Sequence, residues 1–239
     1  PVVVHGGGPQ IGSMLDKLKI ESSFIDGLRI TNEETVEIVE MVLSGSINKD
    51  IVNKIHAAGG LAIGLSGKDA KLILANKLTD KFKDPNSNIE KFLDIGFVGK
   101  PIKINPSIIN IISDNLMIPI IAPVGFGANN ETYNINADTA AGAIASSLKA
   151  ERILLLTDVK GVLDSNKKLI SNISVTKAES MISDKIITGG MIPKIKTCLE
   201  TVGSGVKAAV IIDGRSPHAI LREIFTTGGS GTMIDNNFE

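Results

Sequence analysis

The 239-residue chain is 43% hydrophobic and 21% charged, enough apolar material for one sizeable core or two small ones, as in globular proteins. With 25 Lys+Arg against 26 Asp+Glu its formal charge is -1, so no general basic field exists to hold a nucleic-acid backbone or an anionic membrane surface. The single cysteine, Cys198, cannot form an internal disulfide, and there is no signal-like segment or apolar run of membrane-spanning length, which together point to a reducing, cytoplasmic setting.

In chain order, Pro1 leads directly into Val2-Val3-Val4, a strand expected over residues 2–5, so the sequence is expected to begin inside a structured unit. Gly6-Gly7-Gly8 and a helix opened by Pro9 follow. Glycine lets main-chain N–H groups approach an anion, and a helix start adds partial positive charge, so this tract reads as an anion cradle, with a tight structural turn as the alternative. It is neither a Walker loop nor a dinucleotide fingerprint. In Asp26-Gly27-Leu28-Arg29-Ile30-Thr31, Arg29 offers a planar fork for a carboxylate, but the tract alone is read as a solvated surface arginine.

A helix over 33–43 is expected to bury Val36, Val39, Val42 and Leu43 behind Thr31-Asn32 as capping candidates, and a second helix over 47–57 is expected to end at Gly59-Gly60. A strand over 61–65 comes next. The polar stretch 72–105, broken by Asp84-Pro85-Asn86 and Gly96, reads as β-hairpins. Asn105-Pro106-Ser107 then opens a helix ahead of a strand over Ile118–Ala122. In Tyr133-Asn134-Ile135-Asn136-Ala137-Asp138, one polar residue could cap the helix of small residues that follows, but capping cannot explain all three. The strand over Arg152–Thr157 ends in Thr157-Asp158 ahead of Gly161, the strand end where open α/β sheets bind ligands, although Asp158 could equally close a turn. Gly189-Gly190-Met191 opens a helix with Lys194 one turn inside, where a lysine opposes the helix dipole unless an anion joins it. A final clear strand covers Ala208–Asp213. Strands alternating with helical segments predict an α/β protein, a three-layer α/β/α sandwich around a mainly parallel sheet. Its lobes are expected over 1–135 and 136–239, sharing one continuous sheet. The three histidines lack metal spacing, and no Gly-x-Ser-x-Gly elbow is present.

Taken in order, VVVHGGGPQI, DGLRIT, MVLSGSINKDIV, APVGFG, ETYNINADTAAGAIA, LLLTDVKGVLD, TGGMIPK and IIDGRSPHAI resemble the N-acetyl-L-glutamate kinases of the amino acid kinase family over essentially the whole chain. The resemblance implies phosphoryl transfer from ATP, with Mg²⁺, to the side-chain carboxylate of N-acetyl-L-glutamate in arginine biosynthesis. It implies that Gly7, Gly8, Arg29 and Asn134 bind the acceptor and that Lys194 and Asp138 are catalytic. Thr157, Asp158, Gly161, Gly189, Gly190 and Met191 would join Lys194 at the nucleotide, with the first lobe binding the acceptor and forming a dimer and the second binding ATP. It further implies a homodimer or hexamer, a possible PII-type signalling partner, and weak binding of arginine as feedback inhibitor near Glu223 and Gly231. Lys100 and Val210 depart from the arginine-sensitive pattern. The family's opening Lys-x-Gly-Gly strand has no counterpart ahead of Pro1, so the sequence is expected to be the body of a longer chain, with transfer impaired if its lysine is truly missing. The alternatives are a non-catalytic arginine- or amino-acid-sensing module and a sibling kinase with another acceptor.

Overall fold

A computed structural model describes residues 1–25, 27–79, 81–83, 90–92 and 94–235, which leaves Asp26 of the DGLRIT tract and the Asp84-Pro85-Asn86 break outside the described residues. The chain divides into two compact units, Pro1–Ala140 and Ala141–Glu239.

The first unit opens with β1 (Val3–Val4), α1 (Gly8–Leu18) and the paired strands β2 (Phe24–Ile25) and β3 (Leu28–Arg29), with Gly27 between them at φ 80°. Next come α2 (Glu33–Glu40), a π-helical turn (Met41–Ile47) and α3 (Asn48–Ala57). Asn32 caps α2 by accepting the Thr35 N–H at 2.8 Å. The expectation of two separate helices is corrected here: Glu40, Met41, Ile47 and Asn48 all keep right-handed helical backbone, so the chain runs as one helical rod across Ser44-Gly45-Ser46. The wider π-turn absorbs an extra residue without breaking the rod. As expected, Val36, Val39, Val42 and Leu43 are buried.

The unit continues with β4 (Ala62–Ser66), β5 (Ile73–Lys77), the hairpin of β6 (Lys81–Lys83) and β7 (Glu90–Phe92), and β8 (Val98–Ile104). Then follow α4 (Ser107–Asp114), β9 (Ile118–Ala122), β10 (Val124–Phe126) and β11 (Thr132–Ile135). Ahead of α4 the Asn105 carboxamide accepts from the Ser107 N–H and hydroxyl. Strands β1, β9 and β4 form a parallel sheet with β9 in the middle, whose Ile120, Ile121 and Ala122 are fully buried. A continuous apolar run suits a strand covered on both faces. Strands β10, β11, β8 and β5 close a small barrel of mixed direction.

The helix α5 (Ala137–Ser147) leads into β12 (Arg152–Thr157), β13 (Asn172–Ser174), α6 (Val175–Ser183), α7 (Met191–Gly203), β14 (Ala208–Asp213), α8 (Ala219–Phe225) and β15 (Gly231–Asp235). These strands form a second sheet in the order β12-β14-β15-β13, parallel except for the β14–β15 pair. Its core gathers Ile153, Leu155, Ile195, Ile211 and Ile234 with Cys198, which is fully buried as expected. Gly142 brings α5 close to α7, since a Cβ there would lie 2.6 Å from Thr201 Oγ1. The α/β architecture expected from the alternation is the one observed. No described helix is long and apolar enough to cross a membrane.

Candidate active site

The strand β1 delivers His5 and the three glycines to the start of α1. Gly7 is the N-cap, in extended backbone, and Pro9 lies in the first turn, where its missing N–H costs nothing. Ile11 N–H closes on the Gly7 carbonyl at 2.9 Å, while no side chain caps the helix, so its first N–H groups are available to an anion. Gly7 packs closely on the π-turn: a Cβ there would lie 2.3 Å from Ile47 Cδ1 and 2.8 Å from Leu43 Cδ2, so any other residue would have to displace these side-chain ends. At Gly8 a Cβ would meet nothing within 4 Å, so this backbone faces open space.

Arg29, on β3, is only 7% exposed, which corrects its reading as a solvated surface residue. Its guanidinium donates to the Gly8 carbonyl at 3.0 Å and to the Ser22 hydroxyl, and lies 4.5 Å from the centre of the Phe24 ring. Burial pushes its pKa down and Asp16 pushes it back up, but an arginine remains charged in either case. The bonds to Ser22 and Gly8 use two of the five donors of the guanidinium and leave the rest for a carboxylate.

Asn134, on β11, donates through Nδ2 to Thr31 Oγ1 at 3.3 Å, and Thr31 in turn donates to the Arg29 carbonyl at 2.8 Å. Thr31 is fully buried and ties Arg29 to Asn134, which lies 103 positions beyond Thr31 in sequence. Asn136 proves to be the helix cap, accepting the Thr139 N–H at 3.1 Å, so capping accounts for one polar group of the tract and leaves Asn134 and Asp138 for other work.

Gly7, Gly8, Arg29 and Asn134 all line one cleft of about 200 Å³ in the first unit. Its apolar wall includes Ile11, Phe24, Leu43, Val98 and Ile135, none of which the tracts singled out for binding. Phe24 could have been found from its sequence: it lies two residues ahead of an Asp-Gly pair, a hairpin signal that puts it across from Arg29. A cationic fork, exposed helix N–H groups and a carboxamide around a small, partly apolar space suit a short anionic molecule with two charged ends.

In the second unit, Thr157 ends β12 with its hydroxyl 3.0 Å from the Val159 carbonyl and 3.4 Å from the Ile212 carbonyl, so it serves the fold locally. Gly161 has φ 137°, and a Cβ there would lie 2.6 Å from Thr232 Oγ1, so this glycine answers to backbone and packing. Asp158, Gly189 and Gly190 are exposed, whereas Met191 and Lys194 are half-buried. At the end of β14, adjacent to β12, Asp213 pairs with Arg215 at 2.9 Å, which holds its pKa down at about 2. A separate cleft of about 230 Å³ contains both Glu223 and Gly231. Glu223 is buried and accepts the Ser230 N–H at 2.7 Å, with Arg152 at 3.5 Å. Gly231 is needed for close packing, as a Cβ would lie 2.0 Å from the Ile211 carbonyl.

A profile of the amino acid kinase family matches residues 1–213. The acetylglutamate kinase of Rhodospirillum centenum is 62% identical over 234 residues, covering 98% of this chain and 77% of that relative. Among solved structures, smu.665 of Streptococcus mutans UA159 superposes with a TM-score of 0.80 at 30% identity, over 99% of this chain and 86% of that one. The N-acetylglutamate synthase of Neisseria gonorrhoeae, solved with coenzyme A and N-acetyl-glutamate, superposes with a TM-score of 0.84 at 19% identity, over 100% of this chain and 52% of that one, and so shares its fold.

Proposed function

Since the chain belongs to the amino acid kinase family and, within it, to the acetylglutamate kinases, we propose that it transfers the γ-phosphoryl group of ATP to the side-chain carboxylate of N-acetyl-L-glutamate in arginine biosynthesis. A carboxylate oxygen attacks the γ-phosphorus, the bond to the β-phosphate oxygen breaks, and the products are an acyl phosphate and ADP. The acceptor is already ionised at neutral pH, so no general base is needed, and catalysis rests on positioning and charge neutralisation. The convergence of Gly7, Gly8, Arg29 and Asn134 on one cleft supports this reading most strongly.

In this reading the first unit binds the acceptor. Arg29 grips the α-carboxylate, Asn134 holds the amino-acid end, and the Gly7 and Gly8 N–H groups face the reacting carboxylate. The second unit binds ATP along Thr157, Asp158, Gly161 and the Gly189-Gly190-Met191 turn. Lys194 offsets the charge on the transferring group, and Asp138 is the second residue assigned to catalysis. Mg²⁺ enters with ATP, neutralising its phosphates. The protein works in the cytoplasm as a homodimer or hexamer and is open to a PII-type partner. Arginine binds weakly beside Glu223, whose carboxylate already has two partners; calorimetry showing no heat at millimolar arginine would remove that element. The reaction is tested by trapping acyl phosphate with hydroxylamine in the presence of ATP and N-acetylglutamate, glutamate, aspartate or carbamate. Hydroxamate from N-acetylglutamate alone is expected, and equal yields from glutamate would assign the chain to another acceptor.

A further inference from the structure

Asn48 opens α3 with its side chain fully buried, and its amide nitrogen donates to the Ile120 carbonyl at 2.9 Å and the Leu65 carbonyl at 3.2 Å and lies 3.3 Å from His5 Nε2. The Asn48 carboxamide oxygen faces the other way, accepting from Lys49 Nζ at 3.2 Å. Two main-chain carbonyls fix which end of this amide is the nitrogen, because a carbonyl oxygen has nothing to donate. The amide nitrogen cannot accept a hydrogen bond, so a proton on Nε2 would face it unpaired, and that ring atom is therefore bare. The ring proton therefore sits on Nδ1, 3.0 Å from the Gly6 carbonyl, to which it donates. His5 is itself only 8% exposed, and burial favours its neutral form. The sheet makes room for this arrangement at Gly64, where a Cβ would lie 1.8 Å from the Asn48 oxygen.

The Gly6 carbonyl and the Gly7 N–H are opposite ends of one planar trans peptide, so pinning the oxygen aims the N–H the other way. Glycine on both sides would otherwise let that peptide turn over at low conformational cost. We infer that His5, locked by Asn48 as a neutral Nδ1–H imidazole, is a positioning residue that holds the Gly6–Gly7 peptide with its N–H directed at the acceptor. The inference rests on the cleft being the acceptor site.

Two measurements test it. Long-range ¹H–¹⁵N spectra of the wild-type chain at neutral pH should show His5 protonated at Nδ1 and bare at Nε2, whereas an Nε2–H tautomer or an imidazolium would overturn the inference. Calorimetry with N-acetylglutamate is then compared across two variants. His5→Asn keeps a donor near the Nδ1 position and should bind within about threefold of wild type; His5→Gln keeps only an acceptor toward Asn48 and should bind about tenfold more weakly, the effect of one lost hydrogen bond. Equal affinities in the two variants would overturn the positioning role, whatever their melting temperatures. A wild-type chain that fails to bind N-acetylglutamate would remove the functional reading and the acceptor role with it, while the spectra still decide the tautomer.

Discussion

Replacing Arg29 with Lys separates charge from geometry at the acceptor cleft. The arginine is 7% exposed, with one nitrogen on the Gly8 carbonyl and another on Ser22, and its plane lies over Phe24. An ammonium keeps the positive charge but cannot make two parallel bonds to a carboxylate while also holding Gly8. One charge-assisted hydrogen bond to the ligand is lost, worth roughly 1.5–3 kcal/mol, so the Kd for N-acetylglutamate should rise about 10- to 100-fold. The fold loses the bond from the charged guanidinium to the Gly8 carbonyl and a cation–π contact, together about 2–4 kcal/mol, and should melt several degrees lower. Titration calorimetry and thermal denaturation measure both on one sample. A Kd within twofold of wild type would refute the assignment of the arginine fork to the acceptor, and an unchanged melting temperature would refute its role as a clamp on Gly8.

Gly64→Ala should drive the Asn48 amide off the Ile120 and Leu65 carbonyls, costing about 2–3 kcal/mol in urea unfolding; a loss below about 0.5 kcal/mol would show that the amide relocates freely. The buried His5 ring resists protonation, whereas the unfolded chain takes up the proton near 6.5. Between the lowered folded value and 6.5 the unfolded state holds more protons, so stability falls as pH drops through that window. His5→Asn should weaken this dependence in urea midpoints measured at about pH 5.5 and 7.5, and an identical pH response in the variant would contradict it. Lys194→Ala should lower turnover about 100- to 1000-fold with little change in acceptor Kd, and an unchanged turnover number would end its catalytic assignment.

The sequence was most legible where burial is continuous along the chain. Ile118–Ala122 and Ala208–Asp213 form strands with the expected limits because each is an apolar run buried almost throughout, and Arg152–Thr157 does so although its burial alternates, with Ile153 and Leu155 inside and Leu156 exposed. It was less legible between Met41 and Ile47, where the apolar spacing fits an α-helix and Ser44-Gly45-Ser46 looks like a break. The extra residue of a π-turn leaves no mark in a periodic pattern, yet it brings Leu43 and Ile47 under Gly7. Arg29 misled for a different reason: what buries it comes from Gly8, Ser22 and Phe24, and an isolated arginine in a polar tract carries no sign of those contacts. Thr31 and Asn48 were missed as polar residues that become informative only once their partners, 103 and 43 positions away, are in place. Gly7, Gly8, Arg29 and Asn134, the four residues proposed for the acceptor, were by contrast named from ordered motifs, and in the fold they meet at one cleft.

A crystal structure with N-acetylglutamate bound tests the acceptor-site reading most directly. The ligand is expected in the first unit's cleft, its α-carboxylate on the Arg29 guanidinium and its side-chain carboxylate facing the Gly7 and Gly8 N–H groups. A ligand bound elsewhere, or bound there with its two carboxylates exchanged, would contradict it.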